Sequence, residues 1–300
     1  MSTRRQRRPL QWRVHLALLP MTVVAVLGYL FSVVWTIGIS FTSSRTFPSS
    51  NFVGVAQYER LFNSDRWMVS IHNLALYASL FIGLCLILGF LLAVFIDQKI
   101  RSEDVFRSIF LYPYAMSFVV TGLVWQWLLN PDMGIQYTVR KLGFESFNLD
   151  WLVNQDRVMY AIVLAAVWQA SGLVMAILLS GLRGIDEEIW KATELDGIPK
   201  WRVYLSVVLP MIGSSVATAF VLQSVAAIKV YDAVVSMTQG GPGTASEVPA
   251  KFILDNIFSR SNIGLASAAS VVLLLTVAAL VTPWFYMRQR NAAPDYAKRG

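Results

Sequence analysis

Two amides and an indole stand inside otherwise apolar runs of this chain: Trp168 with Gln169 in one run, Gln223 in the next. An amide offers both a donor and an acceptor to a hydroxyl, and an indole face covers the C–H side of a hydroxylated ring. Polar side chains in apolar helices also turn towards a bundle interior, where an interhelical hydrogen bond is an equal use for them. These three residues are the candidates for a solute path. Bond-making chemistry is poorly served by comparison. His15 and His72 are the only histidines and Cys85 the only cysteine, so neither a metal-ligand set nor a disulfide is expected. Gly-x-Ser-x-Gly, His-Glu-x-x-His and paired catalytic carboxylates do not occur. The Gly-rich "TQGGPGT" (Thr238 to Thr244) lacks the Lys-Ser/Thr of a phosphate cradle and reads as a turn-rich loop. The expectation is a protein without catalytic residues, bound cofactor or metal.

The densest interior charge lies in "EEIWKATELDGIPKWRVYLSVVLP", Glu187 to Pro210. Asp186 is placed to cap a helix, with Glu187 and Glu188 in its first turn, where the helix dipole favours acids. Glu187 and Lys191 are four apart with the acid first, the better orientation for a pair. Ile189, Trp190 and Thr193 form a semi-apolar stripe. Gly197 supplies a left-handed stop, and Pro199 forbids simple continuation. Asp196 opposes the dipole in the last turn, which points to a use beyond local stability: capping the next helix or meeting a cationic partner. Lys229 and Asp232, three apart, read as a helix-end pair or a snorkelling lysine.

The elements that hold these residues follow from composition. With 56% hydrophobic and 14% charged residues, the 300-residue chain predicts an all-α, polytopic membrane bundle. Six spans are expected at about 14–41, 71–96, 105–129, 158–182, 203–228 and 263–287, each near the ~20 residues a bilayer core needs. The first apolar run is too long for a cleaved leader, so it is expected to stay. Lys and Arg number 16 in the segment 1–13, the loop around 97–107, the loop 183–206 and the tail 288–300, against 9 in the alternate loops. That asymmetry places both termini and the 183–206 loop in the cytoplasm. The net charge of +7 is dispersed among loop ends and termini, Arg4, Arg5, Arg7 and Arg8 among them, which argues for membrane anchoring and against nucleic acid. Tyr112, Trp127, Trp151, Tyr231, Trp284 and Tyr286 fit interfacial anchors. The small residues of "GLASAAS", with Gly264 and Ala268 four apart, predict close helix packing. An ion-driven carrier would carry charge at the bilayer midplane, and these spans have almost none.

The wording from Ile189 to Pro210 resembles the EAA loop of bacterial ABC-importer permeases, in which Glu-Ala-Ala is followed after three residues by Gly and later by Pro. Ala192, Asp196, Gly197 and Pro210 match that pattern; Lys191 stands where its Glu is expected and Thr193 replaces its second Ala. "VWQASGLVMAILLSGLRGIDEEIW", "VYDAVVSMTQGGPGTASEVPAKFI" and "NIGLASAAS" are similar to neighbouring segments of the carbohydrate-uptake group related to the maltose permeases. The Tyr-Asp and Thr-x-Gly-Gly-Pro wording looks like the MalF-like half of a permease pair, and "WKAT" with "LDGIPKWR" looks α-glucoside-type. The resemblance implies a type I importer permease in the bacterial inner membrane. It implies as partners a second homologous permease, an ATPase dimer that binds ATP and Mg, an external solute-binding protein and a sugar. Polyamine or phosphate import keeps the same architecture. The loop 183–206 would dock its short helix in an ATPase groove through Glu187, Glu188, Lys191, Ala192, Glu194, Asp196 and Gly197. Lys191 leaves Glu187, Glu188 or Glu194 to supply the acidic contact.

Overall fold

The computed structural model describes residues 12–98 and 101–292. Arg4, Arg5, Arg7, Arg8, Lys99 and the tail beyond Ala292 lie outside the described residues, as do the side chains of His15, Trp284 and Tyr286. In chain order the helices are α1 (Trp12–Ala25), α2 (Phe31–Ser40), α3 (Ala56–Phe62), α4 (Asp65–Asp97), α5 (Glu103–Ala115), α6 (Phe118–Leu128), α7 (Ile135–Lys141) and α8 (Val158–Leu182). They continue as α9 (Glu187–Leu195), α10 (Lys200–Val203), α11 (Leu209–Met211), α12 (Gly213–Ile228), α13 (Asp232–Thr238), α14 (Pro249–Leu254) and α15 (Ile263–Ala292). Wider π-helical turns follow α1, α10 and α14. Among the described residues there is no strand, only one isolated antiparallel bridge between Thr42 and Phe52. The fold is all-α.

Three helical stretches are long and apolar enough to cross a bilayer unbroken: Leu18–Ser40, α4 with 33 residues and α8 with 25. Two further apolar runs are bent. α5 and α6 meet at 98°, and the Lys200–Met211 stretch meets α12 at 75°. The run the sequence marks as 105–129 is thus two helices, and the reason is local. Pro113 removes a backbone donor near the end of α5, and Met116 and Ser117 adopt extended conformations before α6 starts. In the second run Pro210 sits just beyond the π-helical turn Tyr204–Val208, and Ile212 leaves helical geometry. α15 is a continuous helix of 30 residues, apolar over Ile263–Ala279.

The described residues divide into two compact units, one formed up to Asn63 together with Asp255–Leu275, the other from Ser64–Leu254 with the residues from Thr276 onward. In the first, the turn after α2 is fixed by side chains. Gln57 donates to the Thr42 carbonyl at 2.9 Å, and the Ser40 and Tyr58 hydroxyls are 2.8 Å apart. The small-residue run packs here. A Cβ on Gly264 would lie 2.6 Å from the Thr42 carbonyl oxygen, so this run meets loop backbone. Ala266, Ala268 and Ala269 are fully buried.

In the second unit α8 is the central element, buried along most of its length between α4, α5 and α12. Lipid tails are as apolar as leucine, so close backbone approach supplies much of the attraction between such helices. Glycines mark where it happens. A Cβ on Gly89 of α4 would come within 2.5 Å of the Val174 side chain, and one on Gly172 of α8 within 2.0 Å of the Phe110 carbonyl oxygen in α5. The Gly-rich segment after α13 is clamped onto the start of α4. Asn73 donates to the carbonyls of Ala245 and Glu247 at 2.9 Å each, and Arg66 pairs with the buried Glu247. Trp67 packs on Phe252 at 5.3 Å between ring centroids.

Candidate functional site

The charged stretch folds as its local chemistry directs. The Asp186 carboxylate accepts from the Glu188 backbone N–H at 3.1 Å, closing the N-terminus of α9. Gly197 ends the helix with φ of +65°, where its N–H donates to the Glu194 carbonyl at 3.2 Å. Ile198 then donates to the Thr193 carbonyl, and Pro199 opens α10. Asp196 does not cap α10: Pro199 holds the cap position, and the exposed Asp196 carboxylate has no side-chain partner among the described residues. Its mismatch with the dipole therefore has no local compensation.

No residue of α9 is buried. Glu188, Ala192 and Glu194 are exposed, Leu195 is 89% exposed, and Trp201 just beyond is 64% exposed with the Arg202 guanidinium over its ring. Lys191 and Glu187 approach to 3.8 Å, both largely in solvent, a geometry worth little in stability. The half-buried face of α9 is better anchored. Trp190 meets Tyr204 edge-on at 5.6 Å, and the Tyr204 hydroxyl accepts from Gln98 Nε2 at 2.9 Å at the end of α4. Arg183 pairs with Glu103 of α5 at 2.5 Å. Beside these contacts lies a cleft of about 560 Å³, lined among others by Asp97, Gln98, Glu187, Lys191 and Tyr204. Charge spacing drew attention to Glu187 and Lys191 but not to Tyr204 or Gln98. Their link joins residues 106 positions apart, and the available signal was only a phenol and an amide near predicted span ends.

The three solute-path candidates separate in the structure. Gln169 is buried, and its Nε2 donates at 2.8 Å to the carbonyl of Met116, inside the break between α5 and α6; its Oε1 has no partner among the described residues. Trp168, the preceding residue and so turned about a quarter of the way round α8, is 40% exposed and meets Trp125 of α6 at 5.9 Å. Gln223 is buried in α12 with its side-chain amide against the Cys85 thiol of α4. Lys229 and Asp232 are both exposed and do not pair.

Sequence residues 86–291 match the model of the family described as binding-protein-dependent transport system inner membrane component. A probable ABC transporter permease protein of Pyrococcus horikoshii is 36% identical over 90% of this chain and 94% of its own length. The xylose/arabinose import permease XacH of Haloferax volcanii is 28% identical over 93% of this chain and 87% of its own. Among solved structures, a bacterial ABC transporter involved in alginate import has a chain with TM-score 0.81, 17% identity, and coverage of 93% of this chain and 96% of its own. That likeness is one of fold, the type I importer permease architecture. On the family match over more than half its length, this chain belongs to the binding-protein-dependent transport system inner membrane components, the permease subunits of ABC importers.

Proposed function

We propose that this permease carries a sugar or glycoside, of α-glucoside type on its loop wording, and that α9 is the lever through which a partner ATPase drives it. The single observation behind the lever is the form of α9 itself. It is a nine-residue helix closed by Asp186 and Gly197, exposed along its outer side, and set between the central helix α8 and α10. An amphipathic helix this well capped yet unburied is stable enough to be gripped and leaves its surface for a partner. Leu195, Ala192, Glu194 and Asp196 offer an apolar centre with an acidic rim, the composition of a small docking face.

In this reading the partner ATPase pair holds ATP and Mg, a second permease completes the pathway, and both termini and α9 face the cytoplasm. The excess of Lys and Arg in the corresponding loops supports that orientation. ATP-driven closure moves α9 and shifts the bundle between inward- and outward-facing states, an effect bounded by the differential affinity of each partner for the two states. Trp168, Gln169 and Gln223 would line the solute path. One buried amide atom without a partner among the described residues, Gln169 Oε1, supports this, because buried polar atoms ordinarily find one. The sugar assignment is supported by relatives whose names cite xylose and arabinose or alginate.

The test is purification of the tagged chain from a strain expressing its neighbouring genes. Retention of an ATPase by the wild-type chain, and its loss on replacing Leu195 by Asp, are expected. Recovery of the permease with no ATPase would overturn the lever. A thermal-shift screen of the adjacent solute-binding protein against α-glucosides, pentoses and phosphate esters decides the cargo.

A further inference from the structure

We infer that Tyr204 is a positioning residue that locks α9 to α4, so that motion of the lever enters the bundle sideways through α4 as well as along the chain. The inference rests on α9 being the ATPase-facing lever. Along the chain, the C-terminal route out of α9 is interrupted three times. Gly197 and Pro199 form a turn, the helix widens into the π-helical turn Tyr204–Val208, and a 75° bend at Ile212 precedes α12. The helical ladder breaks at the turn and at the bend and widens to the i→i+5 register between them, so rotation of α9 need not reach α12.

The lateral route is shorter and continuous. Tyr204 receives the Trp190 ring of α9 edge-on at 5.6 Å, and its own ring meets Phe90 of α4 edge-on at 6.5 Å. Its hydroxyl accepts from Gln98 Nε2 at 2.9 Å, two helical turns further along α4. One side chain thus touches α9 once and α4 twice. α4 in turn is an unbroken 33-residue helix packed along α8 and α12, the helices that carry Gln169 and Gln223. The edge-on rings resist sliding, and the hydrogen bond fixes rotation about the α4 axis. The cleft of about 560 Å³ beside Tyr204 leaves α9 few other contacts with the bundle. Another tie is the four-residue turn after α8, where Arg183 bonds Glu103 of α5.

The experiment uses the full chain assembled with its second permease and ATPase pair. Spin labels go on Ile189→Cys in α9, half-buried and outside the docking residues, and on the exposed Leu91→Cys in α4, while the native Cys85 is buried. With Tyr204 in place the interlabel distance stays the same in nucleotide-free and vanadate-trapped MgATP states, because the two helices move together. Tyr204→Ala and Trp190→Ala shift and broaden that distance on trapping, and Tyr204→Phe, which keeps the rings, gives a smaller shift. ATPase turnover then persists without its stimulation by liganded binding protein. Where Tyr204→Ala does not assemble, Gln98→Leu removes the hydrogen bond alone and should shift the distance as Tyr204→Phe does. An unchanged distance in Tyr204→Ala or Gln98→Leu, or a wild-type distance that itself changes on trapping, overturns the inference. Failure of the wild-type chain to retain the ATPase would instead remove the lever, an outcome read before any label is added.

Discussion

Gln169 in α8 reaches across to the backbone of Met116, donating its amide at 2.8 Å to a carbonyl in the break between α5 and α6. A 98° bend in an apolar run exposes backbone groups that lipid cannot satisfy, and this amide supplies one of the missing partners. The same side chain leaves Oε1 unpartnered among the described residues, so one residue both holds a bent span and offers an acceptor inside the bundle.

Replacing Gln169 by Leu strips the Met116 carbonyl of its donor. The expected cost is about 1–3 kcal/mol, the desolvation of a buried acceptor. Thermal unfolding in detergent measures it. A transport defect without any loss of stability would assign Gln169 to the solute path alone.

The ion pair of Arg66 and Glu247 ties the Gly-rich segment to α4, with Glu247 only 1% exposed and Arg66 18% exposed. Glu247→Ala, which leaves the arginine without this carboxylate, should lower stability by about 3–5 kcal/mol. The double replacement Arg66→Met with Glu247→Leu should recover much of it. Limited proteolysis between Thr238 and Pro249 gives the local readout: rapid cleavage in the single variant and slow cleavage in the double one.

At Gly172 there is no room for a side chain, because its Cβ would meet the Phe110 carbonyl oxygen at 2.0 Å. Gly172→Val should push α5 away from α8 at a cost of about 1–3 kcal/mol. Cysteine crosslinking between the two helices is expected to fall. Equal crosslinking yield and an unchanged melting temperature would contradict the backbone contact.

Gly197 has open space around its Cα, so only its φ of +65° resists substitution. Gly197→Ala should cost about 1 kcal/mol and Gly197→Asn less, since Asn tolerates the left-handed region. If α9 is the lever, ATPase stimulation by liganded binding protein should fall in the Ala variant and be partly kept in the Asn variant. Equal, wild-type stimulation in both would separate the helix stop from coupling.

Local features were legible because short-range chemistry sets them. Asp186 as a cap, Gly197 as a stop and the Glu187–Lys191 approach all follow from residues within a turn of one another. Apolar run length likewise marked α4 and α8, since a bilayer demands about 20 apolar residues whatever lies beside them. The expected use of Asp196 as a cap for the next helix was less secure. It assumed a helix start that Pro199 took instead.

Sequence by itself determined that this chain is a helical membrane protein with one conspicuous charged helix between two apolar runs. Hydropathy and capping act over a few residues and need no partner to operate. Tertiary structure decided where the apolar runs bend, which amide mends the break, and that a buried ion pair clamps Arg66 to Glu247 across 181 positions. It also decided that Tyr204 would stand between α9 and α4. Such contacts depend on which helix faces fall together, and that choice is made by close approach at glycines such as Gly89 and Gly172, whose spacing along the chain carries no record of their partners.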